Sequence, residues 1–106
     1  MSVVYEVTAV VEHELAAEWE RYMRERHIPD VLATGCFTRA SLTRAQGGRY
    51  RIFYHAESSA DVDRYLAQSA PALRAEFAAR YPGGVALTRE TWELVQEWEA
   101  PGRSFG

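Results

Sequence analysis

The first apolar run of the chain constrains its fold more than any other segment. Residues 3–11 read VVYEVTAVV, and alternate positions place an apolar set on one face of a β-strand: Val3, Tyr5, Val7, Ala9 and Val11. The opposite face carries Val4, Glu6, Thr8 and Val10, so it is about half apolar. A strand of this kind is usually covered on both faces. We therefore expect the chain's own helices to cover one face of the strand and a further structure to cover the other face.

Composition narrows the class of protein. With 106 residues the chain is expected to form one domain, and its net charge of −3 comes from interspersed charges rather than a basic stripe. A nucleic-acid partner is therefore not expected. The single cysteine, Cys36, excludes an internal disulfide and is expected to be a small buried core residue. No leader and no apolar run of membrane-spanning length is visible, so a cytoplasmic protein without a membrane partner is expected.

The remaining elements follow from periodicity and turn residues. Helical spacing of Trp19, Tyr22, Met23, Arg26 and His27 predicts a helix over 14–26 with all five on one face. Pro29 is expected to break this helix near His27 and to begin a short second helical turn through residue 32. Gly35 is expected to end that second turn. We then expect a strand over 36–44, a turn at 46–48, a strand over 49–56 and a last strand over 85–94. Between the last two strands we expect a helix from residue 58 or 59 to 81, either kinked or divided into two parts at Pro71.

The order strand, helix, strand, strand, helix, strand predicts an α+β, ferredoxin-like βαββαβ fold over residues 1–98, followed by a flexible C-terminal tail over 99–106. Its four-stranded antiparallel sheet would carry both helices on one face. The other face would be too apolar to remain in water, since it would include Val4, Val10, Phe37 and Phe53. Two sheets packed face to face would hide it, so a homodimer is expected.

Several segments resemble one known family. They are Tyr5-Glu6-Val7-Thr8, Trp19, Tyr22-Met23, residues 27–37 (HIPDVLATGCF), Tyr65-Leu66-Ala67 and residues 70–74 (APALR). In these the chain, over residues 2–94, is similar to domain-of-unknown-function family 4286 of the dimeric α/β-barrel superfamily. The resemblance implies the fold and the dimer, and it carries no settled activity. Its more distant relatives include cofactor-free oxygenases, polyketide-type cyclases, lactone isomerases and ligand-sensing modules. Gln68-Ser69 departs from the family pattern, in which a histidine commonly precedes Ala-Pro, so no second site histidine is assumed.

A cleft between the first helix and the sheet is the first candidate site. His27 could act there as a general base or acid near neutral pH, or it could simply close the helix C-terminus. Tyr54 and Tyr5 would project onto the helix-covered face, either as core residues or as donors that orient a substrate. We assign catalysis to His27 and Tyr54. The expected substrate-binding residues are Trp19, Tyr22, Tyr5 and Thr38, although Trp19 and Tyr22 could equally belong to the core.

Glu6, Arg39, Arg51 and His55 form a second candidate cluster, on the opposite face of the sheet. Inside a dimer these charges would have to pair, so they are either interface ion pairs or an anion-binding or acid-base site in the barrel. If the two faces were reversed, they would line the cleft instead. The three histidines lack ligand spacing and the glycine pairs are turns, so neither a metal nor a cofactor is expected.

Two functional hypotheses remain open. The first is a small homodimeric, cofactor-independent domain that binds a modest apolar or aromatic molecule and, if it is an enzyme, acts on an activated carbon acid as a cyclase, isomerase or monooxygenase. The second is a non-catalytic ligand-sensing or assembly module whose cleft is filled by its own side chains. An open pocket reaching His27 would favour the first, and a close-packed interior the second.

Overall fold

A computed structural model describes residues 2–102 and contains one four-stranded antiparallel sheet in the order β2-β3-β1-β4. The elements are β1 (Val3–Val11), α1 (His13–Tyr22), a π-helical segment (Met23–His27), α2 (Ile28–Ala33), β2 (Arg39–Ala45), β3 (Arg49–Ala56), α3 (Ser59–Gln68), α4 (Ala70–Arg80) and β4 (Val85–Glu93). This is the ferredoxin-like βαββαβ arrangement predicted from the sequence. The two central strands, β1 and β3, pair antiparallel with Tyr5 opposite Tyr54.

The first helix does not break at Pro29, contrary to the expectation. The backbone stays helical at Tyr22, Met23, His27 and Ile28, and α2 continues from there. The amide of Ile28 bonds the carbonyl of Met23, five residues back, which is the bond of a π-helix. The wider turn relieves the contact between the Pro29 ring and the preceding turn, so the backbone stays helical through Pro29.

The π-helical segment also changes which side chains face the sheet. Tyr22 and Met23 are buried as expected, and His27 is partly buried. Arg26 is exposed and pairs with Glu76 at 3.7 Å, so the prediction that it shares one helix face with Tyr22 and Met23 is wrong. The extra residue in the wide turn shifts the helical phase, which carries position 26 outward.

The strand β2 begins three residues later than expected, and this corrects the position of Phe37. Residues 36–38 are not part of the strand, so the alternation of a strand does not apply to them. The side chain of Phe37 is 6% exposed and lies among Tyr5, Tyr54 and Tyr65, with ring centroids 5.0–6.1 Å apart. It therefore belongs to the core under the helices, and its predicted place on the opposite face of the sheet is wrong.

The second helical region is divided at Pro71 as expected, because α3 ends at Gln68 and α4 begins at Ala70. Gly35, with φ 77°, ends α2, and its amide bonds the carbonyl of Leu32. One core joins this helical layer to the sheet. Its fully buried large side chains are Trp19, Ile52 and Val31, and Cys36 is buried as predicted.

The opposite face of the sheet carries no helix of the described residues, and we call it the open face. Strand register places Val4 opposite both His55 and Trp92, and Glu6 opposite both Phe53 and Glu90. Val10 and Trp92 are 48% and 49% exposed, although both are large apolar side chains. The open face is therefore a mixed surface of apolar and charged residues.

The chain beyond β4 has no regular secondary structure over residues 94–102. Glu97 reaches Arg39 on β2, with 3.8 Å between the charged atoms, while Val95 and Trp98 are 90% and 79% exposed. The expected tail over 99–106 extends beyond the described residues and stays a prediction. Within residues 2–102, the helices are all too short and too polar to cross a lipid bilayer.

Candidate active site

A narrow cleft lies between the helical layer and the sheet, and we call it the tyrosine cleft. Its walls come from β1, β3, β4, α3, α4 and the π-helical segment: Tyr5, Val7, Met23, His27, Ile52, Tyr54, Tyr65, Arg74, Phe77, Leu87 and Arg89. The space between these walls is about 450 Å³ when the open mouth is included, but only about 30 Å³ is wide enough for water. That interior holds about two water molecules. A larger ligand could enter only if side chains at the mouth moved outward.

His27 lies at the end of the π-helical segment and is partly buried against aromatic rings. Its ring centroid is 6.1 Å from that of Tyr22 and 5.7 Å from that of Phe77, which meets it edge-on. Removal from water lowers the pKa of His27 below its ordinary value, an effect that the charges of Asp30 and Glu76 oppose and that of Arg89 reinforces. The imidazole is therefore neutral near pH 7, which is the form that can accept a proton.

Three tyrosines surround the interior of the cleft. The ring of Tyr5 lies 6.2 Å from that of Tyr54 and 5.9 Å from that of Tyr65. Burial raises the pKa of Tyr54 far above its ordinary value and raises the pKa of Tyr65 to about 12, with further contributions from neighbouring tyrosines. Both phenols therefore stay protonated and can donate hydrogen bonds to an oxygen of a bound molecule.

The mouth of the tyrosine cleft carries two arginines. Arg74 comes from α4, and its guanidinium donates to the hydroxyl oxygen of Tyr5 at 3.1 Å. Arg89 comes from β4, where it stands opposite Val7 on the helix-covered face. Both side chains belong to exposed residues. The cleft thus has an aromatic interior, a neutral imidazole on one wall and a cationic entrance.

The structure brings His27, Tyr5 and Tyr54 together in the cleft, but not the other predicted binding residues. Trp19 is fully buried against Tyr50, with ring centroids 4.5 Å apart, and its indole N–H has no hydrogen-bond partner among residues 2–102. Tyr22 packs against the ring of His27 and is itself buried. Thr38 is exposed, and its hydroxyl donates to the carbonyl oxygen of His55 at 3.2 Å. In this structure, therefore, Trp19, Tyr22 and Thr38 do not line the cleft.

The second candidate cluster lies on the open face. Glu6 and Arg51 form an ion pair at 3.4 Å, and the Glu6 carboxylate also accepts a hydrogen bond from Thr8 at 3.3 Å. Arg39 stands opposite His55 on the neighbouring strand. Burial, together with the charge of Arg39, lowers the pKa of His55. The polar cluster and the tyrosine cleft are therefore on opposite sides of one sheet.

Among the aromatic and charged wall residues of the cleft, four escaped the sequence-based assignment: Tyr65, Phe77, Arg74 and Arg89. Strand alternation from Val85 and Leu87 could have placed Arg89 on the covered face. Helical spacing from Phe77 could likewise have placed Arg74 on the inner side of its helix. Arginines are normally assigned to the solvent side of an element, and nothing local distinguishes these two. Within residues 2–102, no group of three or more His, Cys, Asp or Glu side chains is placed to hold a metal ion.

Comparison with known proteins agrees with the fold. A family model described as Domain of unknown function (DUF4286) matches residues 2–95. No curated protein sequence matches the chain.

Several solved structures share the architecture. SnoaB, a cofactor-independent oxygenase from Streptomyces nogalater, is 21% identical, with a TM-score of 0.68 over 91% of this chain and 95% of its own. The heme-degrader MhuD from Mycobacterium tuberculosis, with two hemes bound in its active site, is 22% identical, with a TM-score of 0.66 over 92% and 99%. A protein of unknown function from Nitrosomonas europaea is 18% identical, with a TM-score of 0.67 over 95% and 96%. At these identities the likeness establishes the fold alone.

Proposed function

Because this chain belongs to the DUF4286 family, whose description names no activity, we propose its function from the tyrosine cleft. The protein is a homodimeric domain that binds a small apolar or aromatic carbon acid in that cleft. It is a cofactor-independent enzyme of the cyclase, isomerase or monooxygenase type, in which His27 is the general base. Tyr54 and Tyr65 donate hydrogen bonds to the substrate.

One observation carries this proposal: a neutral imidazole shares an aromatic cleft with phenols that stay protonated. His27 has a lowered pKa, whereas Tyr54 and Tyr65 have raised pKa values. Groups whose environments separate their pKa values in this way can divide the roles of base and acid. Tyr54 and Tyr65 both line the cleft, where their hydroxyls can bond a ligand.

The first chemical step is proton abstraction from carbon. The C–H bond breaks, its electron pair remains on the substrate as an enolate, and the proton passes to His27. The phenol hydroxyls of Tyr54 and Tyr65 stabilise the enolate oxygen as charge develops on it. Return of the proton to another carbon gives isomerisation, and attack of the carbanion on a carbonyl gives cyclisation. Oxygenation requires dioxygen as the oxidant.

The structural neighbours support this reading in general terms. SnoaB is described as a cofactor-independent oxygenase and MhuD as a heme-degrader, and both adopt the same fold as this chain. The fold therefore accommodates small-molecule chemistry in other proteins. The assignment of a base and donors still rests on the side chains of this chain.

The homodimer is proposed from the open face. The isolated protomer exposes 7344 Å², whereas a folded monomer of 12.0 kDa typically exposes about 6000 Å². Part of the excess is apolar, because Val10, Trp92, Val95 and Trp98 are all largely exposed. A second copy packed on the open face would cover Val10 and Trp92. The Glu6–Arg51 pair would then be an interface ion pair.

A thermal-shift screen with aromatic carbon acids tests the proposed site. A ligand at a hundred times its dissociation constant stabilises the folded protein by about 2.7 kcal/mol. His27→Ala and Tyr54→Phe should weaken this response, whereas His13→Ala, at an exposed position on α1, should leave it unchanged. An undiminished response in both cleft variants would rule out this site.

A second candidate function has its own support. The interior has only about 30 Å³ wide enough for water, and two of its wall residues, Arg74 and Tyr5, bond each other. These features favour a non-catalytic ligand-sensing or assembly module with a largely self-filled core. Proton–deuterium exchange at the acidic carbon of a bound ligand separates the two candidates. An enzyme should accelerate that exchange in a manner that depends on His27, whereas a sensing module should bind the ligand without accelerating it.

A further inference from the structure

Among residues 2–102, most arginines pair with a carboxylate, but the two that line the tyrosine cleft do not. All twelve basic residues of the chain are arginines. Within residues 2–102, seven of them lie within 4.0 Å of a carboxylate oxygen: Arg21, Arg26, Arg39, Arg44, Arg51, Arg64 and Arg80. The other four in this range are Arg24, Arg49, Arg74 and Arg89. Most of the positive charge is therefore already neutralised by the protein's own acids.

Two of the four remaining arginines have simple surface roles. Arg49 donates to the carbonyl oxygen of Gln46 at 3.1 Å, within the hairpin turn. Arg24 is an exposed residue of the π-helical segment, and its charge contributes to lowering the pKa of Glu20. Neither lines the tyrosine cleft. The other two, Arg74 and Arg89, both do.

Arg74 and Arg89 reach the same cleft from different elements, one from α4 and the other from β4. In the described part of the chain, the only protein hydrogen bond of either guanidinium is the one from Arg74 to the Tyr5 hydroxyl. The nearby carboxylate of Glu76 is paired with Arg26 instead. Two like charges at one narrow entrance repel each other, and that repulsion is removed when an anion binds between them.

We propose that the molecule bound in the tyrosine cleft carries a carboxylate, which Arg74 and Arg89 hold at the entrance. This inference rests on the proposed function and adds the chemical class of the ligand. A guanidinium group presents paired N–H donors that match the two oxygens of a carboxylate. The aromatic part of the ligand then lies between the tyrosines, with its acidic carbon toward His27. Because the protein has a net charge of −3, an anion is not drawn in by the overall field, and local pairing must hold it.

The inference also explains how a closed cleft admits a ligand. Arg74 bonds the hydroxyl of Tyr5, and the long side chain of this exposed residue can rotate outward. A carboxylate that replaces the Tyr5 hydroxyl as the partner of Arg74 would hold it in the outward position. The same exchange would free the Tyr5 hydroxyl to bond the ligand.

Isothermal titration calorimetry with a matched pair of probes tests this proposal. The probes are 1-hydroxy-2-naphthoate and 1-hydroxy-2-naphthamide, which share the ring system and differ in charge. We expect the acid to bind at least about tenfold more tightly than the amide, since hydrogen bonds to charged groups are the stronger ones. Arg74→Gln and Arg89→Gln should each weaken binding of the acid by about tenfold without weakening binding of the amide. The control, Arg24→Gln, should change neither affinity.

The possible results separate the two proposals. Equal affinity for acid and amide, or an undiminished affinity for the acid in both arginine variants, overturns the carboxylate subsite and leaves the aromatic cleft standing. If neither probe binds to the folded wild-type protein, the cleft takes no aromatic ligand of this kind, and both proposals fall. Raising the salt concentration should weaken binding of the acid selectively, and equal salt dependence of the two probes also counts against the subsite.

Discussion

Trp92 provides the sharpest test of the proposed dimer. It lies on the edge strand β4, on the open face, opposite Val4 of the central strand. About half of the residue is exposed in the isolated protomer, at 49%. A second copy on the open face would remove that half from water, whereas the core under the helices does not include Trp92. Trp92→Ser should therefore weaken association far more than it weakens the fold.

The size of the effect follows from the exposed area. A tryptophan side chain has about 250 Å² of surface, so about 120 Å² remains to be covered in a dimer. At about 25 cal/mol per Å², that area contributes about 3 kcal/mol per protomer and about 6 kcal/mol per dimer. Losing this energy would raise the dissociation constant by at most about four powers of ten, because the free-energy costs of ordering and desolvation offset part of it. We expect a loss of at least about a hundredfold in affinity.

Sedimentation equilibrium over a range of protomer concentrations measures the dissociation constant directly. The matched control is Leu66→Ser on α3, which removes a large apolar side chain that is 36% exposed on the helical side of the molecule. This variant should associate as the wild type does. Urea denaturation of both variants, followed by circular dichroism, should give similar stabilities of the monomeric fold.

Two results would refute the reasoning. The first is a wild-type protein that sediments as a monomer at micromolar concentration, because the open face would then be stable in water. The second is a dimer whose affinity is unchanged in Trp92→Ser or is equally reduced in Leu66→Ser. In that case the protomers would associate through another surface.

Three further predictions concern the fold and the cleft. The pKa of His27 is lowered in the folded state and is near 6.5 when the chain is unfolded, so its contribution to stability is complete above pH 6.5 and is lost as the pH falls below that value. Urea denaturation across this pH range should show a smaller loss of stability for His27→Gln than for the wild type. Equal losses in the two proteins would contradict the burial of the imidazole. Gly48 has φ 72°, and a Cβ there would collide with the backbone carbonyl of Val11. Gly48→Ala should therefore lower the free energy of unfolding by about 1–3 kcal/mol more than Gly47→Ala, at a position where φ is also positive but the space is open. Equal losses in the two variants would contradict the close approach of Gly48 to Val11. Trp19→Ala should cost about 3–5 kcal/mol of stability because the indole is fully buried, and a thermal scan that shows little loss would instead support the earlier assignment of Trp19 to a binding wall.

The architecture could be predicted from the sequence because its signals are periodic. Val3–Val11 and Arg49–Ala56 alternate so regularly that the two central strands and their covered faces follow directly. The turn at residues 46–48 is equally explicit, since both of its glycines adopt positive φ. These features depend on neighbours in sequence, which a pattern can reveal.

The errors arose where two local rules competed. Pro29 normally ends a helix, but the π-helical bond from Ile28 to Met23 widens the turn before it and lets the helix continue. Phe37 was assigned by strand alternation, although the chain at that point still belongs to the loop that follows α2. Neither outcome could be read from periodicity, because each depends on how a helix end packs against the sheet.

The candidate site was only partly predictable for a related reason. His27, Tyr5 and Tyr54 could be found because helical spacing and strand alternation place each of them on the covered side of its element. Arg74 and Arg89 are ordinary surface residues in sequence, and they acquire significance only because α4 and β4 converge on one cleft. Convergence of this kind is a tertiary property, so it appears only when the elements are assembled.

The central strand β1 links the two proposals. Tyr5 faces the tyrosine cleft, and the next residue, Glu6, faces the open face, where it pairs with Arg51. A shift of this strand that adjusts Tyr5 to a ligand must also move Glu6 on the other side, because alternate side chains share one rigid backbone. If the open face is a dimer interface, ligand binding and association should therefore be coupled, and by reciprocity a ligand that tightens the dimer must itself bind more tightly to the dimer. A ligand affinity that is identical in wild-type dimers and Trp92→Ser monomers would show that β1 transmits no such coupling.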